Sequence, residues 1–366
     1  MNTLCCGFVG LGLIGGSIAK AIKENIPDTR IVAYDINADA LALATRDGIV
    51  DIAATGIDHS FDDCDYIFLC APVQKNDALL AQIKEILPAD CILTDVGSVK
   101  GDILDAVKAA GLENQFVGGH PMAGSERIGY VNSKSMLLQN AYYILSPTEQ
   151  VSGEAVKAYS DLVQKMGAIP LVLSADTHDY VTAAVSHLPH VIAASLVNLV
   201  HDNDSEDGLM KMIAAGGFKD ITRIASSSAV MWQEICMTNT ENIITLLDKY
   251  MASLADIRSE LTQRDSQSLY DLFSEAKTYR DSFMDASSGP IKRSYSITVD
   301  IADEPGALAS IATILALHQI SIKNIGIVHN REYEGGVLKI EFYGEDSIEK
   351  AVQLLNTRGY TTYLKK

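Results

Sequence analysis

Leu4-Cys5-Cys6-Gly7-Phe8-Val9-Gly10-Leu11-Gly12-Leu13-Ile14-Gly15-Gly16-Ser17-Ile18-Ala19-Lys20-Ala21 runs a short apolar segment into a glycine-spaced turn, and an amphipathic pattern then continues to Lys23. That is strand, tight turn, helix. Gly10 makes the turn, Gly12 lets a pyrophosphate approach the backbone, and Gly15 lets the helix pack close on the strand. Leu11, Leu13 and Ile14 complete the loop, and the free N–H groups of the new helix face the phosphates. A glycine turn alone also occurs in nucleotide-free α/β domains. Here a second apolar run, Ile31-Val32-Ala33-Tyr34, ends in Asp35 at the expected distance of about 20 residues. An acid there accepts hydrogen bonds from ribose hydroxyls and repels a 2′-phosphate. No Arg or Lys stands in Asp35-Ile36-Asn37, so the pattern predicts NAD rather than NADP.

At 366 residues the chain suits two or three domains. Its net charge of −18 argues against nucleic acid or an anionic membrane surface as partner. An anionic substrate would then need local positive charge at its site. The six cysteines show no CxxC spacing and predict buried reduced thiols rather than disulfides or a metal site. No stretch is expected to reach the ~18 apolar residues of a membrane span, and the N-terminus lacks a basic leader pattern, which predicts a cytoplasmic protein.

Residues 1–173 alternate strand and helix patterns, as in a parallel sheet with crossover helices. Asn37 caps an expected helix over Ala38–Asp47. Tyr66–Cys70 is a strand stopped at Ala71-Pro72, Cys91–Asp95 leads into Gly97-Ser98, and Phe116–Gly119 runs into His120. All these strand ends should line one crevice with the glycine turn. Residues 174–284 carry helical periods. Pro189 is expected to kink a helix begun at Ala175, and Thr238-Asn239-Thr240-Glu241 reads as a capping box opening one helix to about Phe283. So long an apolar stripe needs a second surface, which predicts a dimer. Residues 285–293 are a linker by composition, and 294–366 read as βαββαβ, a ferredoxin-like module.

A nicotinamide cofactor implies hydride transfer with a nearby proton acceptor. His120, among glycines and stiffened by Pro121, is the first candidate base. Ser98 is either its orienter or the N-cap of the next helix. His187 and His190 share a helix face and are either a metal pair or, for one of them, a substrate donor. Gly216 to Arg223 offers flexible backbone and two cations. A bidentate Arg223 suits a carboxylate, while Lys219 is equally readable as half of a structural ion pair.

With these pieces in order, the chain resembles the prephenate dehydrogenases of tyrosine biosynthesis over essentially its full length. The matching stretches are Gly10–Ser17, Asp95–Lys100, His120–Ser125, Ser186–His190 and Gly216–Arg223. The last module resembles an ACT domain, an amino-acid-sensing fold, with Asp303-Glu304-Pro305-Gly306 at its first turn. The resemblance implies an α/β protein made of a Rossmann-type domain, an all-helical dimerisation domain and a ferredoxin-like ACT domain. The implied reaction is NAD-dependent oxidative decarboxylation of prephenate to 4-hydroxyphenylpyruvate. In it His120 takes the proton of the ring hydroxyl and Ser98 positions His120. Arg223 binds the ring carboxylate beside Gly216, Lys219 and Ser186, His190 contacts the pyruvyl side chain, and Glu126 gates access. Gly10 to Gly15, Asp35, Ala71, Pro72 and Ser98 hold the cofactor. Tyrosine is the implied effector of the ACT domain, no mutase segment is expected ahead of the glycine turn, and no metal is expected. Arogenate dehydrogenases share nearly all these motifs. A protein that merely senses NAD and an amino acid would need none of His120, Ser98 and Arg223.

Overall fold

The structure is a computed structural model that describes residues 3–71, 76–124, 127–285, 295–301, 306–327 and 338–364. Pro72, Glu126, the expected linker from 286 to 293 and the turns at 303–305 and 334–336 lie outside the described residues. The chain divides into two compact units, residues 1–270 and 271–366.

In the first unit, strands β1 (Cys5–Val9), β2 (Arg30–Tyr34), β3 (Ile52–Ala53), β4 (Tyr66–Leu69) and β5 (Ile92–Asp95) form a parallel sheet in the order β3-β2-β1-β4-β5. β1, β4 and β5 are buried along their whole length, so they read as continuous apolar runs rather than alternating ones. Helices α1 (Leu13–Asn25), α2 (Ala38–Arg46), α3 (Asn76–Lys84) and α4 (Gly101–Ala110) alternate with them. Phe8 stacks on Phe68 across β1 and β4, with ring centroids 4.9 Å apart. The strand order reverses between these two strands, and that switch point is where open α/β sheets bind ligands.

Beyond β5 the expected parallel alternation stops. β6 (Val117–Pro121) pairs antiparallel with β7 (Tyr142–Pro147), which pairs parallel with β8 (Ile169–Val172) across α5 (Gly153–Lys165). Between β6 and β7 the described residues form only short 3₁₀ turns, so no crossover helix is there to make the pair parallel. His120 therefore stands inside β6, opposite Ile144, rather than after a strand end. All six cysteines are free thiols, four of them buried.

Helix α6 (Ala175–Thr182), a π-helical turn over Ala183–His187 and α7 (Leu188–Asn203) form one helix of 29 residues. The irregularity expected at Pro189 is the π turn just ahead of it. Pro189 itself falls in the first turn of α7, where its missing N–H is least felt. By length and composition this helix is apolar enough to cross a membrane, which corrects the expectation that no stretch is. Ser186, His187, Pro189 and His190 interrupt the run and hid it.

Helices α8 (Leu209–Ile213), α9 (Gly216–Thr222), α10 (Ala229–Thr238), α11 (Thr240–Gln263) and α12 (Ser266–Asp285) follow. The single helix expected to Phe283 is thus two. Arg264 adopts φ +55° and ends α11, and the Asp265 carboxylate accepts from the N–H groups of Gln267 and Ser268 to start α12. The capping box does not form. Asn239 precedes α11 but donates its side chain to the Asp179 carbonyl at 2.8 Å, and the Thr238 hydroxyl turns back to the Glu234 carbonyl.

The second unit carries β9 (Tyr295–Val299), α13 (Ala307–Leu317), β10 (Ile322–Ile327), β11 (Leu338–Phe342), α14 (Glu345–Thr357) and β12 (Thr362–Leu364). Its antiparallel sheet has the order β10-β11-β9-β12 over a core that includes Ile297, Ile311, Leu315, Ile340 and Leu355. The βαββαβ order is the one the sequence predicts.

Candidate active site

The glycine turn has the shape a dinucleotide needs. Gly10 sits at φ +102°, and a Cβ there would lie 2.9 Å from the Cys70 backbone, so the end of β4 abuts the turn beside Ala71. A Cβ on Gly15 would lie 2.6 Å from the Gly10 carbonyl oxygen. Helix and strand are in contact there. Gly12, by contrast, faces open space, and α1 starts behind it with no side-chain cap and no acid in its first turn. Its first N–H groups are left for an anion. Asp35 accepts from the Leu11 N–H at 2.5 Å and from the Asn37 N–H at 2.7 Å. Two carboxylate oxygens offer about four acceptor positions, so room remains for ribose hydroxyls. Asn37 caps α2 as expected, through Asp39 and Ala40. The residues present fit a dinucleotide.

At the other side of the crevice, Asp95 ends β5 and organises the approach to His120. Its carboxylate accepts from the backbone N–H of Gly97 at 2.9 Å and of Gly119 at 3.1 Å, and pairs closely with the fully buried Lys100 ammonium. Lys100 also donates to the Gly119 carbonyl at 2.9 Å. Burial pushes the Lys100 pKa down, and Asp95 opposes that shift. Breaking such a buried pair strands a charge, so the residue before His120 is firmly held.

The partner of His120 is not the expected one. Its Nδ1 lies 2.7 Å from Nε2 of His178, and Nδ1 of His178 lies 2.7 Å from the Asp179 carboxylate. Among the described residues Ser98 makes no hydrogen bond with His120, and it does not cap α4 either. The first N–H groups of that helix, on Lys100 and Gly101, donate instead to the two oxygens of Asp179, each at 2.8 Å. Docking α6 on the start of α4 supplies the cap that a local serine would otherwise provide. Burial pushes His120 well below the ordinary imidazole pKa, with His178, Lys100 and His187 adding to the shift. Its neutral form is favoured.

His187 is buried, 3.1 Å from the Asn239 amide through its Nδ1, and burial pushes its pKa down to about 4. Among the described residues no group of three or more His, Cys, Asp or Glu side chains is placed to hold a metal. His190 turns the other way. Its Nδ1 donates to the Ser186 carbonyl at 2.8 Å, and its ring stacks on Trp232 at 3.6 Å between centroids. Burial lowers its pKa, the Ser186 bond opposes this, and Arg223 adds to the lowering. Helix α9, which carries Gly216 and Lys219, packs on α7. Arg223 and Lys219 are both exposed, and among the described residues neither has a carboxylate partner. The structure thus sets His190 on a helix packed against the 3₁₀ turn that begins at Arg223, and His120 against His178. The sequence reading missed His178, Asp179, Asn239 and Trp232. The adjacent His178-Asp179 pair and the single tryptophan were the available signals.

A dinucleotide turn at the switch point, with a neutral imidazole and an unpaired guanidinium in the same unit, defines a dinucleotide-dependent dehydrogenase. Comparison with known proteins narrows this. Family models described as "Prephenate dehydrogenase, nucleotide-binding domain" and "Prephenate dehydrogenase, dimerization domain" match residues 18–171 and 174–275. The chain is 38% identical to prephenate dehydrogenase of Bacillus subtilis over 97% of its length and 96% of the relative's. It is 32% identical to cyclohexadienyl dehydrogenase of Zymomonas mobilis, over 74% of this chain and 93% of that one. The crystal structure of prephenate dehydrogenase from Aquifex aeolicus, in complex with hydroxyphenyl propionate and NAD+, superposes with a TM-score of 0.73 at 31% identity, covering 77% of this chain and 99% of that one. The chain belongs to the prephenate dehydrogenase family.

Proposed function

We propose that this enzyme catalyses the NAD-dependent oxidative decarboxylation of prephenate to 4-hydroxyphenylpyruvate and carbon dioxide. The observation that carries the reading is His120, whose neutral form burial favours and whose Nδ1 lies 2.7 Å from His178, in the same compact unit as the dinucleotide turn. Gly10 to Gly15 and the start of α1 hold the pyrophosphate, and Asp35 takes the ribose hydroxyls and disfavours a 2′-phosphate. When bound, the nicotinamide supplies the hydride acceptor. His120 accepts the proton of the 4-hydroxyl as hydride leaves C4. It returns that proton to the ring oxygen once the ring carboxylate has left as carbon dioxide, so no net proton is consumed. Arg223 binds the ring carboxylate, and His190, braced by Ser186 and Trp232, faces the pyruvyl side chain.

The helical segment works as a homodimer. Exposed apolar residues such as Val185, Leu199, Met212, Ile213 and Met237 need a cover that one copy does not provide. Residues 294–366 act as an ACT domain that binds tyrosine, a reading supported by the βαββαβ order. The test is NADH formation at 340 nm with prephenate and with arogenate, each with NAD and with NADP. Turnover with prephenate and NAD is expected. Preference for arogenate would move the role of His190, and silence with all four pairs would end the reading.

A further inference from the structure

The chain of contacts behind His120 fixes where its protons are. A carboxylate only accepts hydrogen bonds. Asp179 is pinned as an acceptor by the N–H groups of Lys100 and Gly101 at the start of α4. His178 must therefore donate to it from Nδ1. With one N–H on His178, spent on Asp179, Nε2 of His178 keeps a lone pair and accepts from Nδ1–H of His120 across 2.7 Å. That leaves Nε2 of His120 bare. The backbone around the pair is also locked: the Thr182 hydroxyl bonds the carbonyls of His178 and Asp179, and Asn239, just ahead of α11, bonds the Asp179 carbonyl.

We propose that His178 and Asp179 are positioning residues that hold His120 in its Nδ1–H tautomer, aim its Nε2 lone pair at the substrate hydroxyl and support the imidazolium that forms. The proposal rests on the reading of His120 as the base. Support of this kind acts on charge that exists only when the proton has moved, so it raises kcat and leaves substrate binding alone. In hydrolytic triads a carboxylate bonded directly to the catalytic imidazole sets its tautomer, and reversing that tautomer costs about 10⁴-fold in kcat; here His178 carries the same constraint from Asp179 to His120.

The experiment compares His178→Leu and His178→Gln in the full-length enzyme. Leucine fills the space and cannot accept a hydrogen bond. Glutamine offers an amide oxygen to His120 and an N–H to Asp179. His178→Leu is expected to lower kcat about 10²-fold with the KM for prephenate and the dissociation constant of NAD nearly unchanged, and His178→Gln to recover at least about tenfold of the loss. An undiminished kcat in His178→Leu, or equal losses in both variants, would overturn the proposal. A second arm needs no substrate. ¹⁵N NMR of histidine-labelled wild-type enzyme should place the His120 proton on Nδ1, and a proton on Nε2 instead would equally overturn it. Should the wild type turn over neither prephenate nor arogenate, the function reading fails while the NMR arm still decides the tautomer.

Discussion

The imidazole of His120 is set by its surroundings, and two consequences can be measured. Removing the base in His120→Asn should lower kcat by about 10²–10⁴, the usual worth of a general base, with NAD binding intact; steady-state rates beside NAD titration check both. Because burial holds the His120 pKa well below the ordinary imidazole value of 6.5, the neutral base persists into more acid solution than a free imidazole would. The kcat of the wild type should therefore stay flat through pH 6.5 and fall only in more acid solution. His187 titrates in the same direction with a different readout. Its folded pKa of about 4 lies below the ordinary 6.5, so between those values the unfolded chain binds a proton that the native state refuses. Stability from this group is complete above pH 6.5 and is lost as the pH falls, by about 2 kcal/mol at pH 5. His187→Gln should flatten that part of the stability profile, as denaturant melts at pH 7 and pH 5 would show. His120 drew notice in the sequence because glycines and a proline surround it, although it stands inside β6 and not in a loop. His178 was not, since its meaning depends on α6 docking on the start of α4, a contact 79 residues apart between Lys100 and Asp179 that no local pattern encodes. The cap reading of Ser98 failed for the same reason, the first N–H groups of α4 being taken by a distant carboxylate.

Elements were legible where one face or both faces decide them. The buried runs of β1, β4 and β5 and the alternation in β11 announced themselves. Boundaries that depend on a single dihedral did not. Nothing in Leu261-Thr262-Gln263-Arg264-Asp265 resembles a helix stop, because arginine is a good helix former, yet Arg264 turns left-handed and divides α11 from α12. A non-glycine residue in that conformation costs about 1–2 kcal/mol, and glycine is the usual occupant at a helix C-terminus. Arg264→Gly should therefore raise stability by up to about 1 kcal/mol after the added entropy of the unfolded chain, read as a shift of a few degrees in Tm. Unchanged or lowered Tm would mean that the arginine side chain contributes as much as the strained backbone costs. The antiparallel turn of β6 onto β7 was hidden for a related reason: strand direction is set by what connects the strands, and the stretch from 122 to 141 carries no helical period long enough to reveal its absence.

On the scale of the whole molecule, net charge, domain order and regulation meet. A chain of net charge −18 that binds a dianion must keep its cations free at the site, and the unpaired Arg223 and Lys219 meet that need. The C-terminal module is a separate matter. Both family models end by residue 275, and the Aquifex aeolicus chain, matched over 99% of itself, covers 77% of this one. A protein of this family thus forms an ordered structure without the module, whereas the Bacillus subtilis relative matches 97% of the chain. Residues 295–364 have their own sheet and their own core, so they can be removed without opening the core of the first unit. Truncation after Ser287 keeps α12 whole, because that helix runs to Asp285. The truncated enzyme should keep its turnover of prephenate and lose any inhibition by tyrosine, measured as NADH formation across a tyrosine titration. Loss of turnover would make the module part of the catalytic fold. Inhibition that survives the cut would place the tyrosine at the substrate site, where its carboxylate would compete for Arg223 and raise KM without touching kcat.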